Sequence, residues 1–311
     1  MQLTMHLVDT LSPVEARQGS AVALGFFDGV HLGHRAVIGS AVGYARQNGL
    51  TPAVFTFQLP GTNTLKGGRI LPPAQKRRRL ADLGVVECME PPFESFCTLT
   101  PEEFVDIILC RCFAAKAVFC GDNFTFGARA AGNVELLTAL CAARGIAVHV
   151  VEMAQYQGRT VSSTRIRAAL EEGRMPDVNA MLGAPYAIDW PVTHGKGVGS
   201  AQLGTPTINQ NYPAGMLQPC CGVYLTRIWL RGKWWPSATG IGKRPTVDPA
   251  KGAAITCETY VPGFTGDVYG QTPILEFHKY LCPVRKFKSL QELAALISDA
   301  AKQSQQYFAN H

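Results

Sequence analysis

The sequence predicts an α/β domain built on a parallel sheet, followed by a smaller β-barrel-like domain. From Ala21 to about Val151, short apolar strand-like runs alternate with stretches of helical periodicity, the pattern of a parallel sheet covered by helices. From Ala187 onward β-rich segments are broken by Gly and Pro clusters and closed by one amphipathic helix, which reads as a barrel. At 311 residues, 47% hydrophobic and 17% charged, the chain is long and apolar enough for two cored domains and too apolar for wholesale disorder.

In the first half, strands are expected over 21–24, 53–57, 85–88, 117–120 and 146–151, with helices over 35–47, 72–83, 101–112 and 134–144. Two shorter helices follow over 164–173 and 176–182, the first opened by Ser162-Ser163-Thr164, which is good capping chemistry. The boundary should fall near 183–187. Beyond it, β-rich segments are expected over 221–230, 253–261 and 274–281, and the closing helix over 290–302.

Composition excludes several classes. No apolar run approaches the ~18 residues needed to cross a bilayer, and the N-terminus has no basic segment followed by an apolar one. Membrane insertion and export are therefore not expected, and the cytoplasm is the default location. Ten cysteines occur without a C-x-x-C pair, so they read as mostly buried thiols rather than zinc ligands or a disulfide framework. The net charge of +6 suits a phosphorylated small molecule at least as well as a polynucleotide. The dense basic run Lys76-Arg77-Arg78-Arg79 lies on an expected helix and reads as a solvated charged face. No aromatic-basic stripe suited to single-stranded RNA stands out, so no nucleic-acid partner is expected.

Three motifs in the first half bear on chemistry. Gly25-Phe26-Phe27-Asp28-Gly29-Val30-His31-Leu32-Gly33-His34 follows the 21–24 strand and leads into a helix. A strand-to-helix turn of this kind presents helix N–H groups and a positive dipole end to phosphate. His31 and His34 add donors for charge developing at an α-phosphate, which points to nucleotidyl transfer. Gly121-Asp122-Asn123-Phe124-Thr125-Phe126-Gly127 follows the 117–120 strand at a carboxyl strand end, where Asn123 could read a base or flavin edge. Phe124 and Phe126 read as packing or as a stacking platform. Ser162-Ser163-Thr164-Arg165-Ile166-Arg167 sets hydroxyls and two arginines at a helix start. That is either a clamp for phosphates or a plain capped helix with surface arginines.

Taken together, these segments resemble the bacterial bifunctional riboflavin kinase/FAD synthetase family from about Val22 to the C-terminal helix. G-F-F-D-G-V-H-L-G-H is similar to its adenylyltransferase signature, G-D-N-F-T-F-G to its middle motif and V-S-S-T-R-I-R to its phosphate motif. L-G-A-P-Y, H-G-K-G-V-G, L-G-T-P-T-I-N, I-G-K-R-P-T, D-V-Y-G and V-R-K-F-K-S-L-Q-E-L then follow in the family's order.

The resemblance implies a Rossmann-like nucleotidyltransferase domain over 1–186 and a six-stranded β-barrel riboflavin-kinase-like domain over 187–311. The barrel would phosphorylate riboflavin to FMN, and the first domain would adenylylate FMN to FAD with release of pyrophosphate. ATP would be co-substrate in both steps and Mg²⁺ the cofactor. Gly25, Phe27, Asp28, Gly33, His31 and His34 would form the ATP-phosphate site, Asn123 would help hold nucleotide or flavin, and Ser163, Thr164 and Arg167 would stabilise pyrophosphate. In the second domain Thr207 and Asn209 would hold Mg·ATP, Glu258 would be the base and Arg285 would lie on the flavin side. Without the family, Glu258 reads as a solvent-facing strand charge and the P-T-x-N segment as a turn with an Asn cap.

Departures from the family pattern cluster. Where the family has T-F-D-P-H-P, this chain has Thr56-Phe57-Gln58-Leu59-Pro60-Gly61, without the phosphate-side histidine. In the second domain an arginine is replaced by Ala201, a phenylalanine by Thr205 and an asparagine by Gly240. Each lost loop contact is worth roughly 1 to 3 kcal/mol. The alternative they permit is an FAD synthetase whose barrel has become a flavin-binding or regulatory module. A non-catalytic RNA- or protein-binding derivative, or a relative acting on another phosphorylated metabolite, is the third class.

Overall fold

The computed structural model describes residues 5–16, 18–59, 68–194, 207–213, 215–244, 254–283 and 290–310. Packing divides the chain into two compact units: Met1–Gly67 with Lys76–Ser163, and Gly68–Gln75 with Thr164–His311.

The first unit is built on six parallel strands: β1 (His6–Val8), β2 (Ser20–Leu24), β3 (Thr51–Phe55), β4 (Glu87–Met89), β5 (Ala115–Gly121) and β6 (Ala147–Val151), in the order β1-β4-β3-β2-β5-β6. Both faces are covered, which explains why the central strands read as unbroken apolar runs. On one face Ala21, Ala23, Val54, Ala117 and Phe119 meet Val37, Ile38, Ala41, Val42 and Ala45 of α1 (Leu32–Asn48) and Leu80 of α2 (Pro73–Asp82). On the other, Val22, Leu24, Phe55, Val118 and Cys120 meet residues of α3 and α4 (Val134–Ala142). Helix α3 starts as Pro101–Glu103 under a Thr100/Glu103 capping box and continues as a π-helix over Phe104–Cys112. Phe113 N donates to Ile108 O at 3.1 Å, the wider i→i+5 step. A short hairpin, β7 (Gln155–Tyr156) and β8 (Arg159–Thr160), precedes α5 (Ser163–Glu171), whose first residue packs with this unit and the rest with the second.

The second unit adds α6 (Met175–Leu182) and α7 (Leu290–Ala309) to seven antiparallel strands: β9 (Tyr186–Ile188), β10 (Val192–Thr193), β11 (Thr207–Asn211), β12 (Gly222–Leu230), β13 (Lys233–Arg244), β14 (Ala254–Tyr260) and β15 (Leu275–Pro283). Their order, β10-β11-β14-β13-β12-β15-β9, puts β9 and β10 at opposite edges. Three residues join those edges, so Ile188 and Val192 are at most about 14 Å apart. A flat seven-stranded sheet would separate its edges by about 29 Å. The sheet must therefore curl most of the way round, as the expected barrel required. The strand count rises from the six expected to seven because β9 and β10 are too short to show a period in the sequence. Tyr186, Tyr224 and Phe277 are fully buried and pack ring against ring on one side. Ala300, Ala301 and Leu296 of α7 cover the other face at Val223, Ala238 and Tyr260.

None of the ten cysteines is exposed or in a disulfide; five are buried and five half-buried. Burial pushes the thiols of Cys88 and Cys141 up to about 12 and that of Cys120 to about 11.

Candidate functional site

Strand order decides where a crevice can form in the first unit. The chain steps outward from β2 to β3 and β4 on one side, then crosses to β5 and β6 on the other, so the order reverses between β2 and β5. Parallel sheets bind ligands outside the carboxyl ends of the strands at such a reversal. The Gly25–His34 turn leaves β2 there and Gly121-Asp122-Asn123 leaves β5. Met153 lies between them: a Cβ added at Gly33 would stand 3.4 Å from its Cε, and one at Gly121 3.0 Å from its Sδ.

The turn after β2 is strained. Phe27, Gly29 and Val30 have φ of 52°, 88° and 45°. For a bulky or β-branched side chain this costs on the order of 1–3 kcal/mol, so the surroundings must hold it. Side chains from separate elements do so by donating to its carbonyls. Thr56 Oγ1 donates to Phe26 O at 2.8 Å and Ser163 Oγ to Asp28 O at 3.1 Å. Arg79 Nη1 reaches Gly29 O at 3.5 Å and Arg35 Nε reaches Val30 O at 3.3 Å. The Phe27 side chain is buried in the core beneath α1, with its ring edge-on to His34 at 5.2 Å. Gly25 makes room for that ring, since a Cβ would meet Phe27 Cε1 at 2.9 Å. Asp28 is buried as well.

His31 is the N-cap of α1, with Nδ1 accepting from His34 N at 3.4 Å. An accepting Nδ1 leaves the proton of the neutral ring on Nε2, which is therefore a donor. The two imidazoles stack with centroids 3.5 Å apart at 20°. Burial first, then the neighbouring His31 and Lys76, hold the His34 pKa well below 6.5, so its ring is uncharged at neutral pH. His34 Nδ1 is buried without a hydrogen-bond partner among the described residues. The helix N-terminus and His31 Nε2–H suit a phosphate group.

The basic run is a solvated face only in part: Arg78 is exposed and Arg77 half-buried, but the other two residues turn inward. Lys76 and Arg79 are 7% and 8% exposed. Lys76 Nζ lies 3.0 Å from Glu90 Oε1, Arg77 Nε 2.9 Å from Glu90 Oε2, and Arg79 serves the turn. The expectation fails because a buried carboxylate and a strained turn in need of donors, both distant in sequence, draw these cations inward. Lys76 and Arg79 are i,i+3 neighbours, and that shared face was the available signal. Thr56, Arg35 and Met153 were also missed.

Asn123 is exposed in the turn after β5. Phe124 and Phe126 stack on each other at 5.9 Å, Phe126 buried in the core and Phe124 half-buried against it. Gln58, in the stretch that lacks the family histidine, donates to Glu90 O at 3.0 Å, while Pro60 and Gly61 lie outside the described residues.

In the second unit, Thr164 is exposed and Arg167 buried, with Arg167 Nε donating to Gly68 O at 3.2 Å. Across the curled sheet Asn209 is the direct register partner of Glu258, and Glu258 is that of Gly240. Thr207 pairs with Tyr260, two residues along, so Thr207, Asn209, Glu258 and Gly240 share one face. Asn209 is buried, Nδ2 donating to Thr207 O at 3.1 Å, and Glu258 is half-buried. Among the described residues, a Cβ at Gly240, where the family asparagine would stand, meets only Glu258 O, at 4.0 Å. Ala201, Thr205 and Arg285 lie outside the described residues.

The FAD synthetase family model matches residues 14–165 and the riboflavin kinase model matches 182–308. A bifunctional riboflavin kinase/FMN adenylyltransferase from Bacillus subtilis is 31% identical over 99% of this chain and 98% of its own. The chain belongs to this family. The Escherichia coli K12 member is 29% identical over 94% of each chain. A crystal structure from Streptococcus pneumoniae, described as a macrolide-efflux protein, superposes with a TM-score of 0.84 over 97% of this chain and 98% of that one, at 26% identity. Among the described residues no helix is long and apolar enough to cross a membrane. The FAD synthetase match contains the turn, the histidine pair and Asn123; the riboflavin kinase match contains Thr207, Asn209, Gly240 and Glu258.

Proposed function

We propose that this family member makes FMN and FAD in succession, phosphorylating riboflavin with ATP and then adenylylating FMN with a second ATP. The observation that carries this reading is the tandem of an FAD synthetase match and a riboflavin kinase match along one chain that aligns end to end with a bifunctional relative. We place the functional division at 1–186 and 187–311, and take riboflavin, FMN, FAD and ATP as the partners, with a cytoplasmic location and no nucleic acid or membrane.

In adenylyl transfer the FMN phosphate is the nucleophile and is already ionised at neutral pH, so no base is needed. Positioning and charge stabilisation then supply the acceleration. His31 donates from Nε2 and His34 contributes a neutral ring beside the α-phosphate of ATP. Gly25 and Gly33 keep the approach narrow, Phe27 supports the His34 ring, and Asp28 offers its carbonyl to Ser163. Asn123 holds nucleotide or flavin, while Ser163, Thr164 and Arg167 receive pyrophosphate.

In riboflavin phosphorylation Glu258 takes the proton of the ribityl hydroxyl as phosphoryl transfer proceeds. Arg285 supports the flavin. Thr207 and Asn209 are oxygen donors on the face of the sheet that carries Glu258, and among the described residues no group of three His, Cys, Asp or Glu forms a metal cage. Such a sparse set fits Mg²⁺, which is held largely by substrate phosphates and water. Bound there, Mg²⁺ would neutralise charge on the β- and γ-phosphates.

Incubation with Mg·ATP and either riboflavin or FMN, followed by chromatography of the flavins, tests the reading. FAD from both substrates is the expected result. FAD from FMN alone would mean a silent barrel, the second reading favoured by Gly240 standing in register with Glu258 in place of the family asparagine; no product from either would overturn both.

A further inference from the structure

A lysine is seldom buried without a specific use, because desolvating its ammonium must be offset by close partners. Lys76 Nζ has two, Glu90 Oε1 at 3.0 Å and Thr56 Oγ1 at 2.8 Å, and it lies 5.4 Å from the centroid of the Phe26 ring. Balancing the charge of Glu90 does not require Lys76, since Arg77 Nε is 2.9 Å from the other carboxylate oxygen. The contact with Thr56 is what remains to be explained. Thr56 Oγ1 accepts from Lys76, so its own hydrogen is directed to another acceptor, Phe26 O at 2.8 Å. That oxygen belongs to the peptide plane from which the φ of Phe27, 52°, is measured. Fixing it fixes the entry into the strained turn, four residues before His31.

We propose that Lys76 is a positioning residue for adenylyl transfer, holding the turn that carries His31 and His34 through Thr56 and the Phe26 carbonyl. The inference rests on the reading of the first unit as an FMN adenylyltransferase. Besides its Coulombic effect on His34, Lys76 acts through a relay of two hydrogen bonds, Lys76 Nζ to Thr56 Oγ1 and Thr56 Oγ1 to Phe26 O, anchored at the other end by Glu90.

The test uses the full chain as wild type, Lys76→Met, Lys76→Arg, Thr56→Val and the Lys76→Met/Thr56→Val double variant. FAD formation from FMN, FMN formation from riboflavin and thermal stability are measured on each. Lys76→Met is expected to lower kcat for FAD formation about 10- to 100-fold through misplaced histidines, with a smaller change in KM for ATP. Thr56→Val should fall in the same direction, Lys76→Arg should recover most of the loss, and riboflavin phosphorylation should hold in all. Because both residues serve one relay, the double variant should be no worse than Lys76→Met within about threefold. Independent, multiplying losses would overturn the proposal, as would full FAD formation by Lys76→Met. If Lys76→Met fails to fold, losing both activities and its melting transition, Thr56→Val decides: full FAD formation from it overturns the relay. A wild-type chain that makes no FAD from FMN would instead overturn the reading of the first unit, and the inference with it.

Discussion

Replacing His31 by Asn separates what this residue does for the helix from what it does for the reaction. Its cap bond to His34 N is long, 3.4 Å, and so sits at the weak end of the ~0.5–2 kcal/mol range of N-caps. Asn is among the best N-cap residues and should restore or improve that contact. What Asn cannot restore is the stacking of two rings 3.5 Å apart, worth about 0.5–1.5 kcal/mol as an aromatic pair. The net destabilisation should therefore be about 1 kcal/mol or less, a shift in Tm of roughly 2–4 °C for a unit of this size. Loss of the Nε2 donor acts on the rate: one preorganised donor to developing charge is worth about 10²–10³ in kcat, or 2.7–4 kcal/mol. Rate should therefore fall far more than stability. The assay is conversion of FMN to FAD with Mg·ATP, with riboflavin phosphorylation in the same preparation as the control and Tm by calorimetry. FAD formation within about threefold of wild type would refute the role given to His31. A Tm loss large enough to leave the chain unfolded at assay temperature would refute the capping reasoning.

Glu258→Gln should reduce riboflavin phosphorylation about 10²- to 10⁴-fold and leave FMN adenylylation intact, read by chromatography of the two products. Gly240→Asn should leave the fold unchanged, because among the described residues the nearest atom to a Cβ there is Glu258 O at 4.0 Å, and should lower the KM of the kinase step; a loss of Tm above a few degrees would contradict that spacing. His34 is kept uncharged in the folded chain well below 6.5, whereas the unfolded chain takes up a proton near that value. Between those two values the unfolded state binds more protons, so this group's contribution is full above 6.5 and is lost as pH falls towards the folded value. Tm of wild type should consequently drop more between pH 7 and 5.5 than that of His34→Gln, and parallel profiles would count against it. Glu87 raises the pKa of His6, which acts in the opposite sense in both proteins and cancels in the comparison.

Much of the fold was legible because a buried parallel strand and a helix each carry their period locally. The runs at 21–24 and 117–120 and the i,i+4 spacing of Val37, Ala41 and Ala45 needed no distant partner to be read. The turn from Gly25 to His34 was legible for the same reason, since its glycines, strand and helix start are contiguous. The edge strands Tyr186–Ile188 and Val192–Thr193 were not, because two or three residues carry no period and form only when a neighbouring strand offers its backbone.

The sequence by itself determined the two-part architecture, the order of the motifs and the residue types at each site. Tertiary structure decided which of those residues are buried as supports of the turn and which stay exposed beside it. Phe27 stands inside the motif yet fills the core, while Lys76 and Arg79, read as surface charge, turned inward. The reason is the range of the forces involved. Helical and strand periodicity act between residues a few positions apart, whereas desolvation and hydrogen-bond satisfaction join groups such as Lys76 with Thr56 and Arg79 with Gly29, twenty and fifty positions apart, only once the chain has folded.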